Sequence, residues 1–269
     1  MHVFGDPSRY PAIADRTYTP HEVTLPAWRA LSEPYGIQRA VLVQPSAYGT
    51  DNSCMLDEMR ISGNEVRGVA VIDGSVTDDM LHEMNVLGVR GVRLNLATGS
   101  VTSLADVPVL VQSTAARIAR LGWHLQILAR GKILEAAAAL VETLAVPVVF
   151  DHMAGAHLPM TAGAPGFEAV LRLLKDGKCW VKISGADHVA TRRDAPHEAL
   201  PVMRRLVAAN PERLVWGSDW PHIGKSAGRD GVEYLQISHG LLLDLLREAA
   251  GSAYEPILAA NPSELYGWP

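Results

Sequence analysis

The segment from Trp216 to His222 contains the clearest chemical signal in this sequence. It reads Trp-Gly-Ser-Asp-Trp-Pro-His and follows an apolar run that begins at Arg213. In a parallel α/β fold, the residue just past the carboxyl end of a strand faces the reaction space. A carboxylate there can take a proton from an attacking water, so Asp219 is our first candidate for a general base. His222 is either a hydrogen-bond donor at the rim of the site or an ordinary loop residue.

A histidine follows a second apolar run. His152 comes after the segment Val148-Val149-Phe150-Asp151, which we predict to end a strand. An imidazole can polarise a carbonyl or shuttle a proton near neutral pH. A single histidine in this place could also only cap a loop. Because it reaches the same rim as Asp219, we interpret His152 as catalytic.

Polar groups after other strand-like runs suggest an anionic substrate. Arg93 and Arg130 lie at or beyond strand ends, and a buried guanidinium needs an anion, either a substrate carboxylate or an internal Asp or Glu. Ser46 and Asn52 follow an earlier run and could hold a carboxylate or a hydroxyl group. Asn52 could equally cap the helix that we predict after it. Lys182 is predicted to be an interior polar residue.

The elements that position these residues alternate regularly. Short β-branched and apolar runs alternate with longer helical patterns, which indicates βα units around a parallel sheet. The predicted strands span residues 38–44, 67–72, 89–95, 123–129, 146–151, 178–184 and 213–218. The predicted helices span residues 23–35, 52–60, 77–87, 107–121, 131–144, 166–176, 197–209 and 232–249. We predict a long loop over residues 155–166.

The length of 269 residues suits one α/β barrel of roughly 250 residues. We therefore predict a single domain over residues 1–269, and a hydrophobic content of 48% is enough for a substantial core. Seven strands do not close an eight-stranded TIM barrel. We expect the first strand to be truncated, with only its tail in residues 1–5.

The bulk properties exclude several classes of protein. A net charge of -5 and a pI near 6.0 give no attraction to nucleic acid or anionic lipid. Cys54 and Cys179 lack the paired spacing of a disulfide framework or a zinc site. We see neither a secretory signal nor an apolar run near the roughly 18 to 20 residues of a membrane span. We therefore expect a soluble, cytoplasmic protein that acts on a small molecule, and its oligomeric state stays open.

Several motifs together resemble the amidohydrolase superfamily, and within it the metal-independent lactonase branch typified by 2-pyrone-4,6-dicarboxylate lactonase. Residues 1–5 (MHVFG) look like the tail of a first-strand His-x-His motif, without its leading histidine. Residues 150–153 (FDHM) look like the sixth-strand histidine motif, and residues 182–185 (KISG) look like the seventh strand. Residues 216–222 resemble the last strand and are the most specific match.

This resemblance implies a TIM-barrel hydrolase that opens a small lactone carrying a carboxylate. Asp219 would activate water and return the proton to the leaving alkoxide. His152, together with His2, would stabilise the oxygen that becomes negative. Arg93, assisted by Ser46 and Arg130, would hold the substrate carboxylate.

The resemblance also bears on metal dependence. Family members that use zinc generally place a histidine at the end of strand five, where this chain has Gln126, Leu128 and Arg130. We therefore expect no cofactor, with one zinc or manganese ion as the alternative. Three other functions stay open: a sugar-acid lactonase or lactone isomerase, a metal-dependent amidohydrolase or decarboxylase, and a non-catalytic barrel.

Overall fold

The computed structural model describes residues 1–97, 103–159, 163–226 and 231–269. The chain divides into two compact units. The first unit comprises Met1–Arg93 and Asp219–His239, and the second comprises Leu94–Ser218 and Gly240–Pro269.

Seven parallel strands follow one another in chain order, as expected for a TIM-like α/β fold. They are β1 (Ala40–Val43), β2 (Val66–Ala70), β3 (Val89–Asn95), β4 (His124–Leu128), β5 (Val148–Phe150), β6 (Trp180–Ile183) and β7 (Leu214–Trp216). All seven predicted strands are confirmed, with ends that differ from the prediction by at most two residues. Apolar and β-branched runs are a reliable signal here because every strand is buried along most of its length.

Strands that follow one another in the chain pair within each unit, and the pairing of β2 with β3 shifts register between Gly68 and Val69. In the first unit, β1 pairs with β2 from Ala40 opposite Val66 onward, and β2 pairs with β3. In the second unit, β4, β5, β6 and β7 pair in that order. Parallel strands bring their carboxyl ends to one edge of a sheet, so the residues that follow β4 to β7 lie along one edge of the second unit.

Most of the helices lie between consecutive strands of the chain. They are α1 (Leu25–Ser32), α2 (Ser53–Ser62), α3 (Asp78–Leu87), α4 (Asp106–Ile118), α5 (Gly131–Ala138), α6 (His152–Gly155), α7 (Pro165–Lys175), α8 (Ala186–Val189), α9 (Leu200–Ala209), α10 (His239–Ala250), α11 (Tyr254–Leu258) and α12 (Ala260–Tyr266). Seven of the eight predicted helices are confirmed, several of them shorter than expected. The Thr77 hydroxyl accepts a hydrogen bond from the Met80 N–H and caps α3.

The predicted helix over residues 232–249 is wrong in its first part. Val232–Tyr234 forms a strand, β9, which pairs antiparallel with β8 (Ile223–Ser226), and the helix begins only at His239. Valine and tyrosine favour strands. Pairing with β8 gives the backbone N–H and C=O groups of this segment the hydrogen bonds that they would otherwise form in a helix. The predicted loop 155–166 is shortened because α7 begins at Pro165, and residues 160–162 lie outside the described residues.

Residues 1–5 lie beside β1 in the first unit. The Val43 N–H donates to the Met1 carbonyl at 2.9 Å, and the His2 N–H donates to the Trp220 carbonyl at 2.9 Å. Phe4 exchanges two backbone hydrogen bonds with Val23 as an isolated bridge. Hydrogen bonds to β1 and to the Trp220 segment therefore fix the backbone of His2.

Apolar packing and buried polar contacts hold the second unit together. Val149, Trp180 and Val215 from three strands form one apolar cluster, and Leu265 of α12 packs against it. In the part of the chain that the structure describes, every helix is too short or too polar to cross a bilayer.

We predict that Asn261→Ala lowers the free energy of unfolding by about 2 kcal/mol, because one buried and one partly buried carbonyl lose their donor. The Asn261 amide donates to the carbonyls of Pro211 and Leu214 at 2.8 Å and 2.7 Å, which ties α12 to the start of β7. Urea denaturation measures the change. Asn64→Ala, at an exposed position, is the control and should change stability by less than about 0.5 kcal/mol. Equal stabilities of the two variants would contradict this assignment.

Candidate active site

The first unit brings together three of the predicted site residues, namely His2, Arg93 and Asp219. Burial, the positive N-terminal amine and the Arg93 guanidinium together lower the pKa of His2 to about 3, and the Asp219 carboxylate opposes that shift. Both charged groups therefore lie within electrostatic reach of the His2 ring. Asp219 has a positive φ of 59°, a strained conformation for a residue with a Cβ. Strain of this kind is concentrated at functional sites because the surrounding structure must maintain it.

The tautomer of His2 follows from its hydrogen bond. Nδ1 lies 2.7 Å from the Val43 carbonyl oxygen, which can only accept, so Nδ1 carries the proton. The ring is neutral at pH 7, and Nε2 is therefore an unprotonated acceptor. This corrects the expected role of His2, because a neutral ring in this tautomer has no Nε2–H to stabilise a negative oxygen. It can instead accept a hydrogen bond from water or act as a metal ligand.

Hydroxyl groups lie near Arg93 in the same unit. The Tyr18 hydroxyl hydrogen-bonds with Ser46 and with the backbone of Ala47, and burial raises the pKa of Tyr18. Arg93 and Asp219 both act electrostatically on Tyr18. Tyr18 therefore connects Ser46 with the surroundings of Arg93, and the assignment of Ser46 to substrate binding stays a prediction. Sequence reasoning missed Tyr18 because it lies in an irregular segment without a strand-end signal.

His222 faces another histidine. It is buried, has a φ of 60°, and its ring lies 6.5 Å from the ring of His239. His239 Nδ1 lies 3.1 Å from the Ser32 hydroxyl. Burial lowers the pKa of His239 to about 4, with a further contribution from His222. These contacts place His222 in a buried polar cluster with His239 and Ser32.

The side chain of Asn52 is occupied by the backbone. Its amide donates to the carbonyls of Thr50 and Val71, and its oxygen accepts from the Val71 N–H. Asn52 stands at the N-cap position of α2, but its side chain makes no capping bond. Asn52 therefore holds the loop after β1 against the residue that follows β2.

In the second unit, three buried polar side chains contact one another in a closed ring. Lys182 Nζ lies 2.9 Å from Asp151 and donates to Gln126 at 2.8 Å, and the Gln126 amide donates to Asp151 at 2.9 Å. Each member comes from or follows a different strand. Lys182 is thus an interior polar residue, as predicted, and it neutralises the carboxylate next to His152.

His152 is held by an unusual turn. His152, Met153 and Ala154 have φ values of 45°, 52° and 57°, so α6 is a left-handed turn that ends at Gly155 with φ 63°. The left-handed conformation costs about 1–2 kcal/mol for each residue with a Cβ. A Cβ at Gly155 would lie 2.0 Å from the Ala129 carbonyl oxygen, so only glycine fits there.

The ring of His152 contacts two further groups. Nδ1 lies 3.0 Å from the Ser184 hydroxyl, and the ring centroid lies 5.3 Å from that of His188. Ser184 and His188 were not among the predicted site residues. The order Ser-Gly after a strand run was visible in the sequence, but its contact with His152 was not.

A carboxylate and two arginines lie in the same unit. The Arg193 guanidinium donates through two nitrogens to one oxygen of buried Asp187, and its Nη2 lies 3.4 Å from His188 Nε2. Arg130 is exposed, and its pKa is lowered by burial of part of the side chain and by repulsion from Arg193. Arg130 therefore adds positive charge near Arg193. The charge of Arg193 itself is partly balanced by Asp187.

Possible metal ligands occur in both units. In the first unit, His2 Nε2 and the Asp219 carboxylate are of the right type. In the second unit, Asp187 and His188 place ligand atoms 3.9 Å apart, but Arg193 already binds that carboxylate oxygen. A cation there would have to displace a guanidinium, which fits metal binding poorly.

We predict that the protein loses stability as the pH falls from about 6.5 toward 3. The folded pKa of His2 lies below its unfolded value, so the folded state binds fewer protons, and each such histidine costs up to about 1.4 kcal/mol per pH unit. The slope of the free energy of unfolding against pH reports how many more protons the unfolded state binds than the folded state. His2→Asn should reduce that number by close to one, measured by urea denaturation between pH 4.5 and 6. Asn64→Ala, at an exposed site and without a titratable side chain, should leave the slope unchanged. A His2 variant with the wild-type slope would show that the folded state does not keep the His2 ring neutral.

We further predict that Lys182→Met destabilises the protein by about 3–5 kcal/mol, because it leaves the Asp151 carboxylate buried without a cation. The double variant Lys182→Met/Asp151→Asn should recover part of that loss, since it removes the unpaired charge. Thermal and urea unfolding measure both changes. If the single and double variants were equally unstable, the ion pair would not be the cause.

Comparison with known proteins now gives the family. The family model described as Amidohydrolase matches residues 1–268. The chain is 30% identical over 279 residues to a 2-pyrone-4,6-dicarboxylate hydrolase of Comamonas testosteroni, covering 100% of this chain and 88% of that protein. It is 29% identical over 273 residues to a 4-sulfomuconolactone hydrolase of Hydrogenophaga intermedia, covering 99% and 87%.

A solved structure of a candidate 2-pyrone-4,6-dicarboxylic acid hydrolase from Pseudomonas putida matches with a TM-score of 0.80 and 28% identity, covering 99% of this chain and 95% of that one. The family model, the relatives and this structure agree over almost the entire length. The chain therefore belongs to the amidohydrolase family.

Proposed function

We propose that this protein is a hydrolase that opens the ring of a small lactone carrying a carboxylate, in the manner of a 2-pyrone-4,6-dicarboxylate lactonase. The observation that carries the proposal is the group in the first unit, where the Asp219 carboxylate and the Arg93 guanidinium both act on the neutral ring of His2. The two relatives support it, because both are named as hydrolases of an anionic cyclic ester.

The attacking water is activated in the first unit. Asp219 accepts a proton from the water, and the water oxygen attacks the lactone carbonyl carbon. His2 Nε2, as an acceptor, holds the other hydrogen of the water and orients it. When the tetrahedral intermediate collapses, the ring C–O bond breaks and the leaving oxygen takes the proton back from Asp219.

The developing negative oxygen needs a donor, and we assign this role to His152. A neutral imidazole with its proton on Nε2 can donate to that oxygen without a change in charge. Donors of this kind contribute about 10²–10³-fold to kcat. The strained turn that holds His152 supports the role, since a structural histidine has no need of it.

The substrate carboxylate is assigned to Arg93, Ser46 and Tyr18, whose guanidinium and hydroxyl groups suit a planar anion. We propose that the exposed Arg130 side chain attracts a second anionic group of the substrate. We assign Asn52 to positioning because its side chain binds the backbone at Thr50 and Val71. We assign His222 to positioning because its N–H donates to the Asp219 carbonyl at 3.0 Å.

We propose that the reaction uses no cofactor. The support is chemical: Arg193 already binds the Asp187 carboxylate, and His152 Nδ1 is engaged by Ser184. The alternative, one zinc or manganese ion, would require a site built on His2 Nε2 and Asp219. Full turnover after chelation, with less than a stoichiometric amount of metal in the purified protein, is expected. Loss of activity on chelation and its return with zinc or manganese would overturn the metal-free assignment.

We predict that Asp219→Asn lowers kcat by about 10²–10⁴-fold, because the amide cannot accept the water proton. Turnover of 2-pyrone-4,6-dicarboxylate, 4-sulfomuconolactone and a sugar-acid lactone should be followed by loss of the ring and appearance of the acid. Asp194→Asn, on the surface, is the control and should keep wild-type turnover. A wild-type kcat in the Asp219 variant would refute the role of Asp219 as general base. A product that still contains a lactone ring would favour an isomerase.

We predict that Arg93→Met raises KM for a lactone carboxylate by about 10–100-fold, because the substrate anion loses a charged hydrogen-bond donor. The matched comparison is the same variant with the methyl ester of that substrate, for which KM should change by less than about threefold. An equal rise in KM for both substrates would show that Arg93 supports the fold and does not bind the carboxylate.

A further inference from the structure

The two histidines assigned to the reaction have different partners at Nδ1. His2 Nδ1 faces a carbonyl oxygen, which forces the proton onto Nδ1. His152 Nδ1 faces the hydroxyl of Ser184 at 3.0 Å, and a hydroxyl can either donate or accept. The Ser184 contact is therefore the one that can leave His152 Nε2 protonated.

The surroundings of Ser184 keep this contact in place. Ser184 is buried directly after β6, and its Cβ would lie 3.2 Å from a Cβ at Gly217, so Gly217 makes room for it. A Cβ at Gly185 would lie 2.8 Å from His152 Nδ1. The imidazole thus rests against the backbone at Gly185, with its Nδ1 edge directed to the hydroxyl of the preceding residue.

The other side of the ring is also restricted. The His188 ring packs against His152 at 5.3 Å with an interplanar angle of 37°. The left-handed turn His152–Gly155 fixes the backbone from which the ring projects. Backbone and ring plane are therefore set by packing, and the contact at Nδ1 bears on which nitrogen carries the proton.

We propose that Ser184 is a positioning residue that donates its hydroxyl hydrogen to Nδ1 of His152 and so holds the neutral ring in the tautomer with the proton on Nε2. This inference rests on the proposed function only for its kinetic consequence, since the tautomer is a property of the free protein. A structural serine would add stability without selecting a tautomer.

The chain contains a matched control. Ser32 is also buried, and its hydroxyl lies 3.1 Å from Nδ1 of buried His239, which has no assigned role in the reaction. Ser32→Ala therefore removes the same type of hydrogen bond as Ser184→Ala, at a different histidine. Ser184→Thr keeps the hydroxyl and tests rescue.

The experiment is a long-range proton–nitrogen NMR spectrum of the full chain with nitrogen-15 histidine at pH 7, with His152 assigned by its absence in His152→Asn. The wild-type protein and Ser184→Thr should show His152 protonated on Nε2, with Nδ1 shifted as an acceptor. Ser184→Ala should show a mixture of the two tautomers, whereas Ser32→Ala should leave the His152 signals unchanged. A wild-type ring protonated on Nδ1, or one unchanged by Ser184→Ala, overturns the proposal.

Kinetics provide the second measurement. Ser184→Ala should lower kcat by about 10-fold with KM within twofold of wild type, and Ser184→Thr should restore most of the loss. Ser32→Ala should leave kcat unchanged, even if it lowers the melting temperature as much as Ser184→Ala does. Equal losses of kcat in the two alanine variants would indicate general destabilisation and overturn the proposal. If the wild-type protein opened no lactone, the proposed function would fail, and the NMR result would still decide the role of Ser184.

Discussion

The ion pair between Lys182 and Asp151 is the interaction on which the carboxyl-end edge of the second unit depends. Two buried charges are costly unless they pair and their remaining hydrogen-bonding groups are satisfied, and Gln126 bridges both partners. The three residues come from or directly follow β4, β5 and β6. The pair thus fixes the point from which the His152 turn leaves the sheet.

Strained backbone conformations occur in each of the two units. The residues from His152 to Ala154 adopt a conformation that side chains with a Cβ disfavour, and Asp219 and His222 in the first unit do the same. Such conformations persist only where the surrounding contacts over-determine them. Among the described residues they include His152, Asp219 and His222, whose titratable side chains follow strand ends, where a fixed orientation matters for proton transfer.

The predicted α/β order was accessible from the sequence because each strand is a short apolar run in a buried parallel sheet, and all seven runs form strands. Asp219, His152 and Arg93 could be singled out for the same reason, since they stand at or beyond the ends of those runs. The helix over residues 232–249 failed at its start because pairing of Val232–Tyr234 with β8 is a long-range interaction that local pattern does not contain. Tyr18 and Arg193 were missed because irregular segments have no periodic signal.

The sequence by itself therefore determined the order of the seven parallel strands, the family and the residue types available for acid–base chemistry. It could not determine what each imidazole does, because a tautomer depends on the atom that faces the ring. His2 faces the Val43 carbonyl and becomes an acceptor at Nε2, whereas His152 faces the Ser184 hydroxyl. Those partners are 41 and 32 residues away in sequence, and only the tertiary structure brings them into contact.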